Sequence, residues 1–416
     1  MEKVTTKSVS SSSTIFKSIF LKYLNRFSKG HLILKLPSGE TYTAGTPESF
    51  PKAVVSINDI SFFKRFIVGG DIGFAESYMD GDWSTPDLES VFLWAIANIQ
   101  ESGLLSGSEK KESFVNLLGV GNKVFHYLRE NSLKGSKKNI SYHYDLGNDF
   151  YEKWLDPSMT YSCALFEDTT TPLEEAQRNK YERIADSLDL KGGMHILEIG
   201  CGWGGFAEYI AKNYPTVKLT GITISKEQLS YAKERLKDQK QIDLIFEDYR
   251  KIDGKFDRVV SIEMIEAVGD KFLPTYFESI NKLLKPSGVA TIQAITSPDS
   301  RYEEFKTGTD FIQKHIFPGS LLPSIRAMVN ACEKTNLHLH GLFDMGLHYA
   351  KTLRMWKESF YHSWEDIKPM GFNDIFKRKW EYYLTYCEAA FKTRNISTVQ
   401  LTLIKPNNTD YKIFGA

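Results

Sequence analysis

Apolar and polar residues alternate in short runs near the start of the chain. Residues 31–36 alternate and lead into Pro37-Ser38-Gly39-Glu40 and a second extended run, which predicts a hairpin. Residues 53–57 predict a third strand, and Asn58-Asp59 then predicts a helix start before the apolar residues Phe62, Phe63 and Phe66. We therefore expect a small α+β domain over residues 15–100, behind a disordered tail of residues 1–14.

A cationic amphipathic helix is predicted at the start of this domain. Its apolar positions recur at helical spacing with basic residues between them; they are Ile15, Phe16, Ile19, Phe20, Tyr23, Leu24 and Phe27. Two interpretations stay open at this point: the helix docks on its own domain, or it lies on an anionic membrane surface. A second basic cluster, Lys377-Arg378-Lys379, is also a candidate for facing anionic lipid.

The pattern changes after residue 190, where apolar strands alternate with helices. Strands are predicted over 194–199, 217–222, 242–246, 256–262 and 289–295, with helices over 205–212, 226–237 and 272–284. Such alternation predicts an α/β fold with a doubly wound parallel sheet. A last strand over 398–404 is expected to pair antiparallel at the edge. Residues 101–140 are interpreted as a linker around one helix, so the second domain spans 141–416.

Composition narrows the function classes. The 416 residues carry 52 Lys+Arg and 52 Asp+Glu, so the formal net charge is zero. A neutral chain has no overall positive field to attract a polyanion, which argues against nucleic acid as a partner. The 4 cysteines show no metal or disulfide spacing, and we see neither a signal peptide nor a membrane span, which favours a cytoplasmic protein. Aromatic residues make up 13% of the chain, which is a high share that the function should explain.

A glycine-rich loop marks the cofactor site. Glu198-Ile199-Gly200-Cys201-Gly202-Trp203-Gly204-Gly205 lies between the first strand of the sheet and its helix, where glycines allow a tight turn and close approach to a ligand. A dinucleotide enzyme places an acidic residue at the end of the next strand, but this chain has Thr220-Gly221-Ile222-Thr223-Ile224-Ser225 there. The loop therefore favours an adenosine-bearing cofactor other than NAD.

Several motifs in order resemble the cyclopropane fatty acid synthase family, which includes the mycolic acid cyclopropane synthases and uses S-adenosylmethionine. The glycine loop is one of them; the others include residues 141–151 (SYHYDLGNDFY), 155–164 (LDPSMTYSCA), 263–269 (EMIEAVG) and 316–319 (IFPG). The resemblance covers roughly residues 140–405, and residues 74–82 are similar to the N-terminal domain of bacterial members. It implies a Rossmann-like class I methyltransferase sheet with helical acyl-binding insertions. The N-terminal domain also loosely resembles the sterol-carrier pattern, which suggests lipid binding.

The resemblance also implies site residues. The cofactor would be lined by Tyr161, Ser162, Gly200, Gly202, Thr223, Ile224, Gln228, Tyr249 and Arg250. The family reaction moves the sulfonium methyl to a cis double bond of a phospholipid acyl chain and then loses a proton to close a cyclopropane. We expect a minority of the C-terminal rings to shield the carbocation and most of them to pack. Unsaturated phospholipid at the membrane surface would be the partner, and a homodimer is suggested by resemblance alone.

In the family, a bound bicarbonate takes that proton. Its ligands would match Glu266, Cys163, Tyr349 and the backbone of Ile295, whereas the family's histidine is replaced here by Gln293. Glutamine donates a hydrogen bond but carries no positive charge, which puts the identity of the anion in doubt. Cys387 occupies a position often regarded as the family's active-site cysteine. Two of these residues also have a purely structural interpretation, Glu266 as a helix N-terminal charge or salt-bridge partner and Cys163 as a small buried residue.

Three other functions stay open beside cyclopropane formation. A methyl- or methylene-branched acyl product would follow from loss of a different proton by the same carbocation. A relative on this scaffold could instead methylate a small amine, or a catalytically silent chain could only bind lipid.

Overall fold

The computed structural model describes residues 11–99 and 146–412, so the predicted linker of residues 101–140 lies outside the described residues. The N-terminal domain contains α1 (Ser11–Leu24), β1 (His31–Lys35), β2 (Thr41–Gly45), β3 (Lys52–Ile57), α2 (Ser61–Met79), β4 (Trp83–Ser84) and α3 (Leu88–Ala97). Its sheet has the order β2-β1-β3-β4, in which β1 pairs antiparallel with β2 and parallel with β3. The predicted hairpin, third strand and helix are all present.

Helix α1 docks on its own domain. The Phe20 ring lies with its centroid 5.5 Å from Phe62, 5.4 Å from Phe63 and 5.2 Å from Phe66. Phe20 and Leu24 are buried, so most of the apolar face of the helix is used in packing. The helix begins at Ser11, which places residues 11–14 of the predicted disordered tail inside it.

The second domain is built on a seven-stranded sheet. Its strands are β5 (His195–Ile199), β6 (Lys218–Thr223), β7 (Ile242–Phe246), β8 (Phe256–Ile262), β9 (Leu284–Thr296), β10 (His338–Asp344) and β11 (Ser397–Ile404), in the order β10-β11-β9-β8-β5-β6-β7. Strand β11 is antiparallel to both neighbours, as the prediction of antiparallel pairing required. Its expected place at the edge is wrong, because β10 covers its outer side.

Helices flank this sheet and form the expected insertions. The helices are α4 (Asn148–Glu152), α5 (Leu173–Ser187), α6 (Gly205–Asn213), α7 (Lys226–Arg235), α8 (Leu273–Leu283), α9 (Tyr302–Thr307), α10 (Phe311–His315), α11 (Ile325–Ala331), α12 (Gly346–His362), α13 (Trp364–Ile367) and α14 (Asp374–Lys392). Along the chain, helices α9 to α11 connect β9 to β10, and helices α12 to α14 connect β10 to β11. Within residues 11–99 and 146–412, no helix has the length and apolarity needed to cross a membrane.

Helix α14 joins the two domains through aromatic contacts. The Tyr382 ring lies 4.8 Å from the Phe92 ring and 4.6 Å from the Phe311 ring, between centroids. Arg378 donates a hydrogen bond of 2.9 Å to the Tyr78 carbonyl, and its guanidinium lies 5.0 Å from the Tyr78 ring. The cluster of residues 377–379 is therefore not a free basic patch, because its central cation is part of the contact between the domains.

Candidate active site

The glycine loop between β5 and α6 adopts the conformation that its sequence predicts. Gly200 has φ +83°, and a Cβ at this position would lie 2.8 Å from the Met264 side chain. Gly202 has φ +52°, and nothing lies within 4 Å of a Cβ built on it. Both glycines line a cavity of about 680 Å³, so the backbone of this loop is open to a ligand.

Polar side chains after β6 and β7 line the same end of the cavity. Thr223 Oγ1 donates to Gln228 Oε1 at 3.3 Å, and Ser225 caps α7 by accepting from the Gln228 N–H. Arg250 is held by both oxygens of Asp248, at 2.8 and 2.7 Å. The cavity wall includes every residue predicted for the cofactor, namely Tyr161, Ser162, Gly200, Gly202, Thr223, Ile224, Gln228, Tyr249 and Arg250.

An unpaired buried carboxyl lies beside the glycine loop. Glu198 at the end of β5 lines the cavity, and its Oε2 has no hydrogen-bond partner in the described parts of the chain. Burial raises the pKa of Glu198 to about 8. A buried polar atom without a hydrogen-bond partner destabilises the folded protein, and a polar ligand that bonds to this atom removes the cost. The open glycine backbone and this carboxyl fit the amino-acid and ribose groups of S-adenosylmethionine.

The other end of the cavity is apolar and lies in the N-terminal domain. Residues from the interior of that domain line it, among them Phe20, Leu34, Val55, Phe62 and Phe66. The cavity thus runs from the cofactor loop into the space between the sheet and helices of the first domain. It has the apolar walls that a hydrocarbon tail requires.

Aromatic residues of the C-terminal half occur both in the cavity wall and in the packed core. Those that line the cavity include Phe305, Phe317, Tyr349, Tyr382, Tyr383 and Tyr386. Others are buried packing residues, including Trp356, Phe360, Trp364 and Trp380. The Tyr161 and Tyr383 hydroxyls are hydrogen-bonded at 2.8 Å, which ties the cofactor side of the cavity to α14.

The centre of the cavity holds a carboxylate that the sequence prediction did not single out. Glu263 directly follows β8, and its Oε1 accepts hydrogen bonds from the Cys163 N–H at 2.9 Å and the Gln293 amide at 2.8 Å. Its Oε2 accepts from the Tyr349 hydroxyl at 2.7 Å. Glu263 lines the cavity, whereas Cys163 and Gln293 lie behind it. The nearby Lys180 ammonium is fully buried and donates to Ser162 Oγ at 2.8 Å.

Glu266 lies one turn further along the chain, in a short 3₁₀ helix. Its Oε1 accepts from the Ile295 N–H at 2.5 Å, and its Oε2 has no partner within the described residues. Burial, together with repulsion from Glu263, raises the pKa of Glu266 to about 8. The cavity wall includes Glu266, Tyr349 and Ile295, three of the residues expected to hold bicarbonate.

Comparison with known proteins places these features in a family. A profile of the mycolic acid cyclopropane synthetase family matches residues 131–401. The chain belongs to this family. It is accordingly an S-adenosylmethionine-dependent methyltransferase, which confirms the expected fold and cofactor.

Curated relatives match along most of the chain. The tuberculostearic acid methyltransferase of Mycobacterium tuberculosis is 34% identical over 406 residues, which are 92% of this chain and 90% of the relative. The cyclopropane-fatty-acyl-phospholipid synthase of Escherichia coli K12 is 36% identical over 353 residues, or 84% and 87% of the two chains. The solved cyclopropane synthase MmaA2 from M. tuberculosis aligns with a TM-score of 0.61 at 30% identity, and covers 65% of this chain and 98% of its own.

The bicarbonate expected from the family does not fit this site. Two of the groups expected to hold it, Gln293 and Tyr349, instead hydrogen-bond to the Glu263 carboxylate. Cys163 contributes its backbone N–H to the same carboxylate, while its buried thiol contacts the Ala164 carbonyl at 3.3 Å. A bicarbonate here would place a second anion beside the Glu263 carboxylate, which Coulomb repulsion disfavours.

Cys387 lies in the cavity wall on α14. Burial raises the pKa of its thiol far above the ordinary value, and repulsion from Asp310 adds to the effect. A neutral thiol is a weak nucleophile. The geometry therefore gives Cys387 a place beside the substrate channel but supplies no group that would activate it.

Proposed function

We propose that the chain transfers a methylene unit from S-adenosylmethionine to the cis double bond of an unsaturated phospholipid acyl chain, with a cyclopropane acyl chain as product. One observation carries the proposal: a single cavity connects the glycine loop, the acidic centre at Glu263 and the apolar interior of the N-terminal domain. A reaction between a polar cofactor and a hydrocarbon chain needs a cavity with one polar end and one apolar end.

The residues at the centre suit a carbocation. When bound, the cofactor supplies an electrophilic methyl group to the alkene. Tyr349, Phe317 and Tyr383 present rings along the cavity, and a desolvated aromatic face stabilises a cation by about 0.5–2 kcal/mol. A hydrocarbon chain bound along the apolar walls would displace water that would otherwise trap the cation.

A branched acyl product is the second candidate. The similarity to a tuberculostearic acid methyltransferase over 92% of the chain favours it, and it needs the same cavity and the same cation. Methylation of a small amine would leave the apolar half of the cavity without a purpose. A lipid-binding protein without catalysis would not need the open glycine backbone at Gly202.

We further propose that the protein meets its substrate at a membrane surface as a peripheral protein. On α1, Ile15 is 60% exposed, and Lys22 lies in the last turn of the helix. Basic and apolar groups together favour an anionic bilayer. Because Phe20 and Leu24 pack inside the domain, this contact would be shallow.

Lipid analysis tests the proposal. The protein is expressed in a host without cyclopropane lipids, and its fatty acid methyl esters are analysed by mass spectrometry and proton NMR. We expect acyl chains heavier by one CH2 with loss of olefinic protons and gain of ring protons. A methylene or methyl signal would assign the branched product, and unchanged lipids in cells that contain the folded protein would refute the acyl substrate.

A further inference from the structure

The centre of the cavity points to a built-in base. We propose that Glu263 accepts the proton that the alkylated acyl chain loses, so that this chain needs no bound bicarbonate. The inference rests on the proposed function and adds to it the residue that completes the reaction.

The hydrogen bonds around Glu263 select its ionised form. All three partners donate to it: the Cys163 N–H, the Gln293 amide and the Tyr349 hydroxyl. Gln293 is itself oriented, because its Oε1 accepts from the Gln400 amide at 3.0 Å and its NH2 group therefore points to Glu263. Oε1 accepts two of these bonds and Oε2 only one, which leaves a lone pair of Oε2 for a proton from the substrate.

The backbone supports the same assignment. Glu263 has φ +50°, a left-handed conformation that costs a non-glycine residue free energy. This conformation directs the side chain from the end of β8 into the cavity, where it meets donors from β9 and α12 and from the segment at Cys163. A strained backbone of this kind persists where the surrounding contacts hold the residue in place. Here those contacts are the three hydrogen bonds to the Glu263 carboxylate.

The surrounding charges and hydrogen bonds favour different protonation states for the two carboxyl groups of the site, Glu263 and Glu266. Burial raises the pKa of Glu263, while its three donors and the buried Lys180 oppose the shift. Glu266 accepts from the Ile295 N–H, but burial and repulsion from Glu263 raise its pKa to about 8, which keeps it neutral around pH 7. Two neighbouring carboxyls with such different surroundings take different roles. Glu263 is the anion, and Glu266 is its neutral neighbour.

The step balances without any further reactant. The methyl–sulfur bond breaks with its electron pair on sulfur, while the alkene π pair forms the new carbon–carbon bond and leaves a cation on the other alkene carbon. Glu263 Oε2 then takes a proton from the transferred methyl, and the released C–H pair closes the ring. The resulting carboxylic acid returns its proton to solvent when the cavity opens. Three hydrogen bonds to the carboxylate weaken it as a nucleophile, so it removes a proton rather than trapping the cation.

Two substitutions test the base. Glu263→Gln keeps the shape but removes the charge, and we expect turnover on dioleoyl phosphatidylglycerol vesicles to fall at least about 100-fold, as for loss of a general base. Glu263→Gly suits the backbone, since glycine adopts a positive φ freely, and it leaves the three donors open. We expect added bicarbonate or formate to restore part of the turnover of Glu263→Gly. Glu278→Gln, an exposed carboxyl on α8 that does not line the cavity, is the control with unchanged turnover.

Wild-type turnover is measured in CO2-free buffer and with added bicarbonate, and we expect equal rates. Thermal unfolding and S-adenosylhomocysteine affinity show that each variant is folded with an intact cofactor site. Dependence of the wild type on bicarbonate overturns the inference. So does turnover of Glu263→Gln within about threefold of wild type, or a folded Glu263→Gly that neither anion restores. A folded wild type that alkylates no lipid refutes the proposed function itself, which separates the two failures.

Discussion

Repulsion between the buried carboxyls of Glu263 and Glu266 should affect the free energy of unfolding in a way that can be measured. Replacing Glu266 with glutamine keeps the acceptor for the Ile295 N–H and removes an acidic proton from a site where ionisation is disfavoured. The folded carboxyl has a pKa of about 8, against 4.5 for its ordinary value, so burial and Glu263 oppose its charge. We therefore expect Glu266→Gln to stabilise the protein at neutral pH.

The sign and size follow from proton linkage. The pKa of the Glu266 carboxyl is higher in the folded protein than in the unfolded chain. Its protonated form therefore contributes fully to the free energy of unfolding below about pH 4.5, and this contribution is lost as the pH rises towards 8. Each pH unit of this window is worth about 1.4 kcal/mol, so by pH 7 the wild type has lost about 3 kcal/mol that the glutamine variant retains. Between pH 5 and 7 the stability gain of the variant should grow with pH.

Urea unfolding followed by tryptophan fluorescence, at several pH values, measures this gain. Glu278→Gln on α8 is the control, since Glu278 is an exposed carboxyl and its replacement should give no gain that grows with pH. A variant that is less stable than wild type at pH 7, or a gain that is constant from pH 5 to 7, would refute the reasoning. Either result would mean that Glu266 is ionised in the folded protein.

Three further predictions concern the cofactor loop, the domain core and the channel thiol. Gly202→Val should weaken S-adenosylhomocysteine binding at least about tenfold by calorimetry, since φ +52° strains a β-branched residue and its side chain would enter the cofactor space; unchanged affinity would contradict this. Glu388→Gln should destabilise the fold by about 1.5–3 kcal/mol in urea unfolding, because the buried Glu388 carboxylate accepts from both Arg354 and Lys357 and glutamine has only one acceptor oxygen; a neutral effect would show that these contacts do not stabilise the fold. Cys387 should resist iodoacetamide at pH 8 in the folded protein, as read by peptide mass spectrometry, because burial holds its thiol neutral; rapid alkylation would show a thiolate.

Strand and helix positions in the second domain were predictable because the apolar pattern is strong there. β7 and β8 have the bounds that the sequence predicts, since their apolar runs are bounded by polar turns. β10 was missed because its sequence His338–Asp344 mixes histidine, glycine and aspartate, and its side chains alternate between exposed and half-buried. The outer place of β10 explains why β11 is an inner strand. Membrane contact and a homodimer stay predictions.

The site was predictable where a residue type matched the family motif and not where the chain departs from it. Seven of the nine cofactor positions lie at or after the carboxyl ends of β5, β6 and β7, which brings them to the same cavity, whereas Tyr161 and Ser162 reach it from the segment before α5. Glu263 belongs to the motif of residues 263–269, but the resemblance to the family implies no role for it. A signal existed in the combination of an acidic residue directly after a buried strand and a neutral Gln293 in place of histidine. The hydrogen bonds that connect them join segments far apart in sequence, so only the structure shows the pair.

The product formed from deuterated cofactor tests the central claim most directly. Purified protein is incubated with dioleoyl phosphatidylglycerol vesicles and S-adenosylmethionine that carries a CD3 group, in CO2-free buffer, and the acyl chains are analysed by mass spectrometry. A base at Glu263 that takes its proton from the transferred methyl predicts chains heavier by one CD2 group, at a rate that added bicarbonate leaves unchanged. Chains that retain the whole CD3 group, or product that appears only after bicarbonate is added, would contradict it.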